Sequence, residues 1–223
     1  DAQVGVAHHL RAATPAHPGW LPDRVAAHTL DRTFNHAFAL AVSEGNLFGP
    51  LDALLPRRGF RVAEARGTQD FLGVNYYTRD VVRFSPAKAQ ELFIQRSVGP
   101  GAEMSDLGWE IYPSGLGELL RVWGRKTGLP VYVTENGIAD AADGKRGRFI
   151  ARHLAEIARA IADGVDVRGY FHWSLLDNFE WAEGYEPRFG LAAVDYATQT
   201  RTLRPSASEY ARIARDRAVT DVA

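Results

Sequence analysis

Four short apolar runs, each separated from the next by enough chain to make a helix, restrict this sequence to a narrow set of folds. The runs are Gln3 to His8, Phe71 to Tyr77, Pro130 to Thr134 and Val167 to Trp173, each rich in β-branched or aromatic residues, the composition of strands. Between them the apolar period lengthens. Val25, Leu30, Phe34, Phe38 and Val42 recur at helical spacing from Asp23 to Glu44, with Pro22 ahead and Gly45 behind, which predicts one long amphipathic helix. Ser114 is placed to cap a second helix, bearing Leu116, Leu119, Leu120 and Trp123 and closed by Gly128; Phe149, Ile150, Leu154, Ile157 and Ile161 mark a third, closed by Gly164. Ser206 with Glu209 matches a capping box opening a last helix through Tyr210, Ile213 and Ala214.

Strands alternating with helices imply a mostly parallel sheet, and strands apolar along their whole length imply that both faces are covered. The class is α/β. A closed (β/α)8 TIM barrel needs eight strands, whereas four are legible here, because 45 to 70, 79 to 113 and 182 to 205 read as long loops. Four open strands leave two raw edges, which a second chain or a second copy has to cover. Since Val4 and Val6 begin a strand almost at residue 1, the chain is expected to be a single unit, 1–223, that opens within a fold.

Charge narrows the partners. Lys and Arg total 26 against 27 Asp and Glu, so no basic field holds nucleic acid or an anionic membrane, and a small neutral substrate fits best. Cysteine is absent, which removes disulfides, thiolate zinc sites and cysteine nucleophiles and fits a cytoplasmic location. Neither an apolar run of about 18 residues nor a basic-then-apolar leader occurs, so no membrane association is expected. His8 and His9 are adjacent, His28 and His36 lie eight apart, and HExxH is missing; neither a metal nor another cofactor is expected. His172 reads as a satisfied interior histidine, and GKRGR at 144 to 148 as a solvated loop.

Three strand tips carry polar groups: LGVNYYTRD at 72 to 80, VTENG at 133 to 137, and GYFHWSLLDNFEW at 169 to 181. A carboxylate at the end of a buried strand costs desolvation energy that a structural role seldom offsets, so Glu135 is the first candidate for chemistry. Strand alternation turns Asn75 and Tyr77 one way and Tyr76 the other. A phenol donating to Glu135 would hold its orientation and favour the ionised form that a nucleophile needs.

TENG, GVNYYT, and WSLLDNFEW followed by GYEPRFGLAAVDY resemble, in order, signature segments of glycoside hydrolase family 1, the β-glucosidase and β-galactosidase group. The resemblance spans essentially the whole chain and implies the C-terminal half of that family's (β/α)8 barrel, strands five to eight. It further implies a retaining hydrolase of β-D-glycosides in which Glu135 is the nucleophile, flanked by Tyr77 and Asn75. Glu180 and Trp181 would grip the glycone, Phe189 would close the far end of that pocket, and Trp173 and Trp109 would wall the aglycone. The family's acid/base glutamate lies in an Asn-Glu-Pro motif that this sequence lacks; FNHAF at 34 to 38 lies inside the first helix. Glu180 is an alternative second carboxylate, but a group gripping the sugar is badly placed to protonate the leaving oxygen.

The resulting expectation is the nucleophile-bearing half of a split or cleaved enzyme, weak or inactive without an N-terminal half-barrel chain. A non-catalytic carbohydrate-binding or homodimeric half-barrel module is the alternative. The mass of the native particle separates them, since one needs a second polypeptide of different sequence and the other two equal chains.

Overall fold

The four apolar runs pair side by side. In the computed structural model, which describes residues 2–47 and 60–219, they form β1 (Gly5–His9), β5 (Phe71–Asn75), β8 (Val131–Gly137) and β9 (Val167–Trp173). These lie in the order β1-β5-β8-β9, every neighbouring pair parallel. Leu72, Val74, Val131 and Val133 of the two middle strands are buried against Leu116, Leu120 and Trp123 of α3 (Pro113–Thr127) and Ile157 and Ala160 of α4 (Arg146–Ala162). Each large apolar side chain so buried contributes about 1.5–3 kcal/mol. The sheet and these two helices therefore form the main core.

The first helical region differs from the continuous helix that its periodicity predicts. It divides into α1 (Leu21–Asp31), a π-helical turn (Arg32–His36) and α2 (Ala37–Glu44). Asn35, in the wide turn, clasps the main chain of Arg11: its Oδ1 accepts from Arg11 N at 2.9 Å and its Nδ2 donates to Arg11 O at 2.7 Å. That clasp ties the helix to the chain just beyond β1. Glycines in the left-handed region, Gly45 (φ 73°) and Gly128 (φ 64°), end α2 and α3 where expected.

The segment 79 to 113, read as a loop, contains two strands, β6 (Arg79–Phe84) and β7 (Ile94–Ser97), which join β2 (Ala12–Pro15) in a second sheet. Their apolar pattern is obscured because polar residues on β6 are consumed by ion pairs, Arg11 with Asp80 at 3.0 Å and Arg79 with Glu110 at 2.8 Å. Likewise 182 to 205 holds the hairpin β10 (Ala192–Val194) and β11 (Arg201–Leu203). Part of 45 to 70 lies outside the described residues; the remainder includes the short pair β3 (Asn46–Leu47) and β4 (Phe60–Arg61).

Neither expected cap residue stands at the cap position. Ser114 sits inside α3, after Pro113 at its first position, and Ser206 sits inside α5 (Pro205–Asp216). Instead of closing on its own helix, Ser206 donates from Oγ to Asp143 at 2.6 Å, and Asp143 accepts the Ser206 N–H at 2.9 Å. The N-terminal N–H of α5 is thus satisfied by a residue 63 positions earlier in the chain, a device invisible to local pattern.

GKRGR is not a solvated loop throughout. Arg146 opens α4 and is fully buried, paired with Asp143 and donating from Nη2 to the carbonyls of Asp140 and Arg188, both at 2.7 Å. A guanidinium can be taken out of water when its terminal nitrogens meet acceptors in this way.

Candidate active site

Strand β8 runs two residues past Glu135, so the carboxylate stands in the last part of the strand rather than beyond it. There the ladders on both sides are irregular: the register with β5 shifts between Val74 and Asn75, and that with β9 between Val133 and Asn136. Glu135 is aligned with Asn75 of β5. Tyr77, just past the end of β5, donates from its phenol to Glu135 Oε2 at 2.6 Å. Burial, and then the bond to Glu135, raise the pKa of Tyr77 above that of a free phenol, so Tyr77 remains a proton donor at neutral pH.

Asn75 flanks the carboxylate through a different contact. Its Oδ1 accepts from the Thr134 hydroxyl at 2.6 Å, which ties the amide to the residue before Glu135. The rings of Trp109 and Phe189 stand 5.8 and 6.2 Å from that of Tyr77 and 6.1 Å from each other. Phe189 is only 1% exposed, so in this chain it backs Tyr77. His9, aligned with Asn75 on β1, sets its ring 5.9 Å from Tyr77. Burial, reinforced by Arg11 and His8, lowers its pKa to about 4, which leaves the imidazole neutral at physiological pH.

The second candidate carboxylate lies past β9. Trp173 donates from Nε1 to Glu180 Oε1 at 3.0 Å. The pKa of Glu180 is raised by burial and by the charge of Glu135, against the lowering effect of the Trp173 bond; the two carboxylates feel one another. Trp181 is 84% exposed and stays on the surface beside Glu180. Gly137 allows the tips of β8 and β9 to meet, since a β-carbon there would fall 1.7 Å from the Trp173 carbonyl oxygen. The structure therefore gathers Glu135, Tyr77, Asn75, Trp109, Phe189, Trp173 and Glu180 at the C-terminal end of the parallel sheet.

Several residues that hold this arrangement were not singled out from sequence. Asp177 is buried and binds Arg204 through both oxygens, at 3.0 and 2.9 Å, while accepting from Gly190 N at 2.9 Å and Val194 N at 3.2 Å. These bonds lower its pKa against the opposing effect of burial, with Arg204 the strongest favourable contact. They brace the loop carrying Glu180. Glu110 does the same for Trp109, binding Arg79 and accepting from Gly99 N at 2.9 Å, while Thr78 donates to its carbonyl at 2.9 Å. An acid inside an otherwise aromatic motif, as in WSLLDNFEW, is the signal that could have found Asp177.

Burial and the Arg146 charge lower the pKa of His172 to about 3, a backbone contact with Phe189 opposing them. Among the described residues no group of three His, Cys, Asp or Glu side chains lies close enough to hold a metal ion, and no helix is long and apolar enough to cross a membrane.

Residues 1–219 match the family model described as Glycosyl hydrolase family 1. A β-galactosidase of Pyrococcus woesei is 37% identical over 219 residues, covering 91% of this chain and 42% of that protein. One from Saccharolobus solfataricus is 46% identical over 165 residues, covering 71% of this chain and 34% of that protein. Among solved structures, a β-glycosidase from Pyrococcus horikoshii superimposes with a TM-score of 0.86 at 39% identity, covering 98% of this chain and 49% of that one. A β-glucosidase from Thermotoga maritima in complex with glucoimidazole gives 0.87 at 30% identity, covering 99% and 52%. The chain spans between about a third and a half of the length of these relatives.

Proposed function

The chain belongs to glycosyl hydrolase family 1, and from that premise we propose that it is the nucleophile-bearing half of a (β/α)8 barrel that hydrolyses β-D-glycosides with retention. The observation that carries the reading is the 2.6 Å bond from the Tyr77 phenol to Glu135 Oε2, which aims one carboxylate oxygen and leaves the other for the sugar. In this mechanism Glu135 attacks the anomeric carbon, the bond to the leaving oxygen breaks, and water later cleaves the glycosyl ester. Asn75 flanks the nucleophile, Glu180 and Trp181 bind the glycone, Trp173 and Trp109 offer aromatic faces, and Phe189 backs the pocket.

Retention needs a second, protonated carboxyl about 5–5.5 Å from the first. Glu180 is held by Trp173 and is assigned to sugar binding, so the acid comes from a companion half carrying the Asn-Glu-Pro segment. The outer strands β1 and β9 of the four-stranded sheet are the edges that such a half would complete.

The test is to combine this chain with a family N-terminal half and assay an aryl β-glucoside. Activity that falls by about four orders of magnitude in Glu135→Gln supports the assignment; activity that survives the change overturns it. A native particle of two identical chains, without glycosidase activity, would favour a carbohydrate-binding module.

A further inference from the structure

Glu135 and Tyr77 sit where the sheet's own hydrogen bonding is least able to align them. The ladders of β8 with β5 and with β9 both shift register beside Glu135. A 2.6 Å contact from a side chain on β8 to one just past the end of β5 is sensitive to any slide of one strand along the other. Something other than a regular ladder must fix it.

A cross-brace spans this irregular stretch. The side chain of Asn136, fully buried, donates from Nδ2 to the carbonyl of Tyr76 on the β5 side at 2.7 Å. Its Oδ1 accepts from the phenol of Tyr170 on β9 at 3.0 Å. The main chain completes the brace, since Tyr76 N donates to the carbonyl of Glu135 at 2.9 Å. The far end of Tyr76 is pinned as well, its phenol donating to Tyr112 O at 2.6 Å. Burial, with the Tyr112 charge next, raises the pKa of Tyr76; burial raises that of Tyr170. Both phenols therefore keep their protons and stay donors.

The residues involved are the immediate neighbours of the pair that matters. Tyr76 precedes Tyr77 and Asn136 follows Glu135, so a bond between the first pair sets the spacing of the second. Only an amide serves at position 136, because one atom must donate to a carbonyl while the other accepts from a phenol. We propose that Asn136 and Tyr170 are positioning residues for the nucleophile, acting across three strands to hold Glu135 in line with the Tyr77 phenol. This deepens the function proposed above and rests on it.

The experiment isolates the first chemical step. A fluorosugar glycoside with a dinitrophenolate leaving group is offered to this chain combined with a family N-terminal half. Glu135 oxygen bonds to the anomeric carbon, the carbon–oxygen bond to dinitrophenolate breaks, and the phenolate leaves with the electron pair, so no acid is required. The ester at Glu135 accumulates and is located by mass spectrometry. The rate of labelling at saturation and the concentration for half saturation are measured separately.

Tyr170→Phe removes one oxygen and keeps the ring that meets Tyr210 at 6.0 Å. It is expected to lower the saturating rate about fivefold, as a net hydrogen bond of about 1 kcal/mol implies, with half saturation unchanged. Asn136→Ala lowers it further. The same Tyr170→Phe change made in a Tyr77→Phe background is expected to have no effect, because the contact it positions is already gone. A brace that merely stabilises the fold would leave the saturating rate of the folded fraction unchanged, or make the two substitutions additive. Either result overturns the proposal while leaving Glu135 as nucleophile. Failure of the unsubstituted protein to label at Glu135 overturns the proposed function itself, and this inference with it.

Discussion

The two candidate carboxylates are held in opposite ways. Glu135 stands within a strand, its oxygen taken by a phenol at 2.6 Å, with a fully buried amide next to it bridging both neighbouring strands. Glu180 stands on the connection after β9, meets one indole N–H at 3.0 Å, and is followed by a tryptophan that is 84% exposed. The difference matches what the role proposed for each asks of it. A nucleophile has to meet one carbon along one line, and small errors in that line cost rate steeply. A carboxylate that receives sugar hydroxyls can adjust as the sugar arrives. The order of the loop carrying Glu180 comes from a distance, through Asp177 and Arg204.

That remote brace is the strongest place to break the comparison. Arg204→Met leaves the buried Asp177 with the Gly190 and Val194 amides and with Arg188 at 3.6 Å. Removing one partner of a buried pair costs about 3–5 kcal/mol, and the remaining donors place this case near the lower end. Denaturant unfolding is expected to show the loss, and hydrogen exchange to show faster opening of 174–190. Protection of β8 around Glu135 that falls equally would mean the two regions are not held independently.

Acid sharpens the comparison next. His172, on β9, and His153, on α4, have pKa values lowered by burial to about 3 and about 4, against about 6.5 for an exposed histidine. The unfolded chain then binds more protons than the folded one at any pH between these values, so stability rises with pH across that window. It is fully present above about pH 6.5 and declines as pH falls toward 4 and 3. Asp177, whose pKa is lowered in the folded state, acts in the same direction, but only once pH falls below the ordinary carboxylate value of about 3.9. Urea titrations from pH 7 to about 4 are expected to show a slope that His153→Gln reduces. A slope unchanged by that substitution would assign the acid sensitivity elsewhere.

The smallest effect belongs to Trp181. With its indole in water, Trp181→Ala is expected to change unfolding free energy by no more than about 0.5 kcal/mol while weakening sugar binding, read as a rise in KM in the combined protein. A large loss of stability would show that the side chain packs in a way that this exposure excludes.

Residues whose partners lie close in the chain pattern were legible from the start. The four parallel strands follow from β-branched and aromatic runs, and α3 and α4 from apolar residues at helical spacing, closed by Gly128 and Gly164. Glu135 was legible as a candidate because a carboxylate at a strand tip is costly to place there for structure alone, and Tyr77 and Asn75 because strand alternation turns both the same way, toward a common partner. β6 was hidden because Arg79 and Asp80 carry the charges of a loop, and their partners Glu110 and Arg11 lie far off in sequence. The Ser206 cap misled for the same reason, since Asp143 supplies its partner from 63 residues away.

The sequence by itself determined which chemistry this chain can bring: an acid after a β-branched strand, a phenol on the adjacent strand, and indoles around them. Residue type and alternation along a strand are local properties, readable without coordinates. Only the tertiary structure decided that Tyr77 reaches Glu135 at 2.6 Å, that Asn75 turns to Thr134, and that Asn136 braces three strands. Such contacts depend on how neighbouring strands slide past one another, and at a register shift no local pattern specifies that offset.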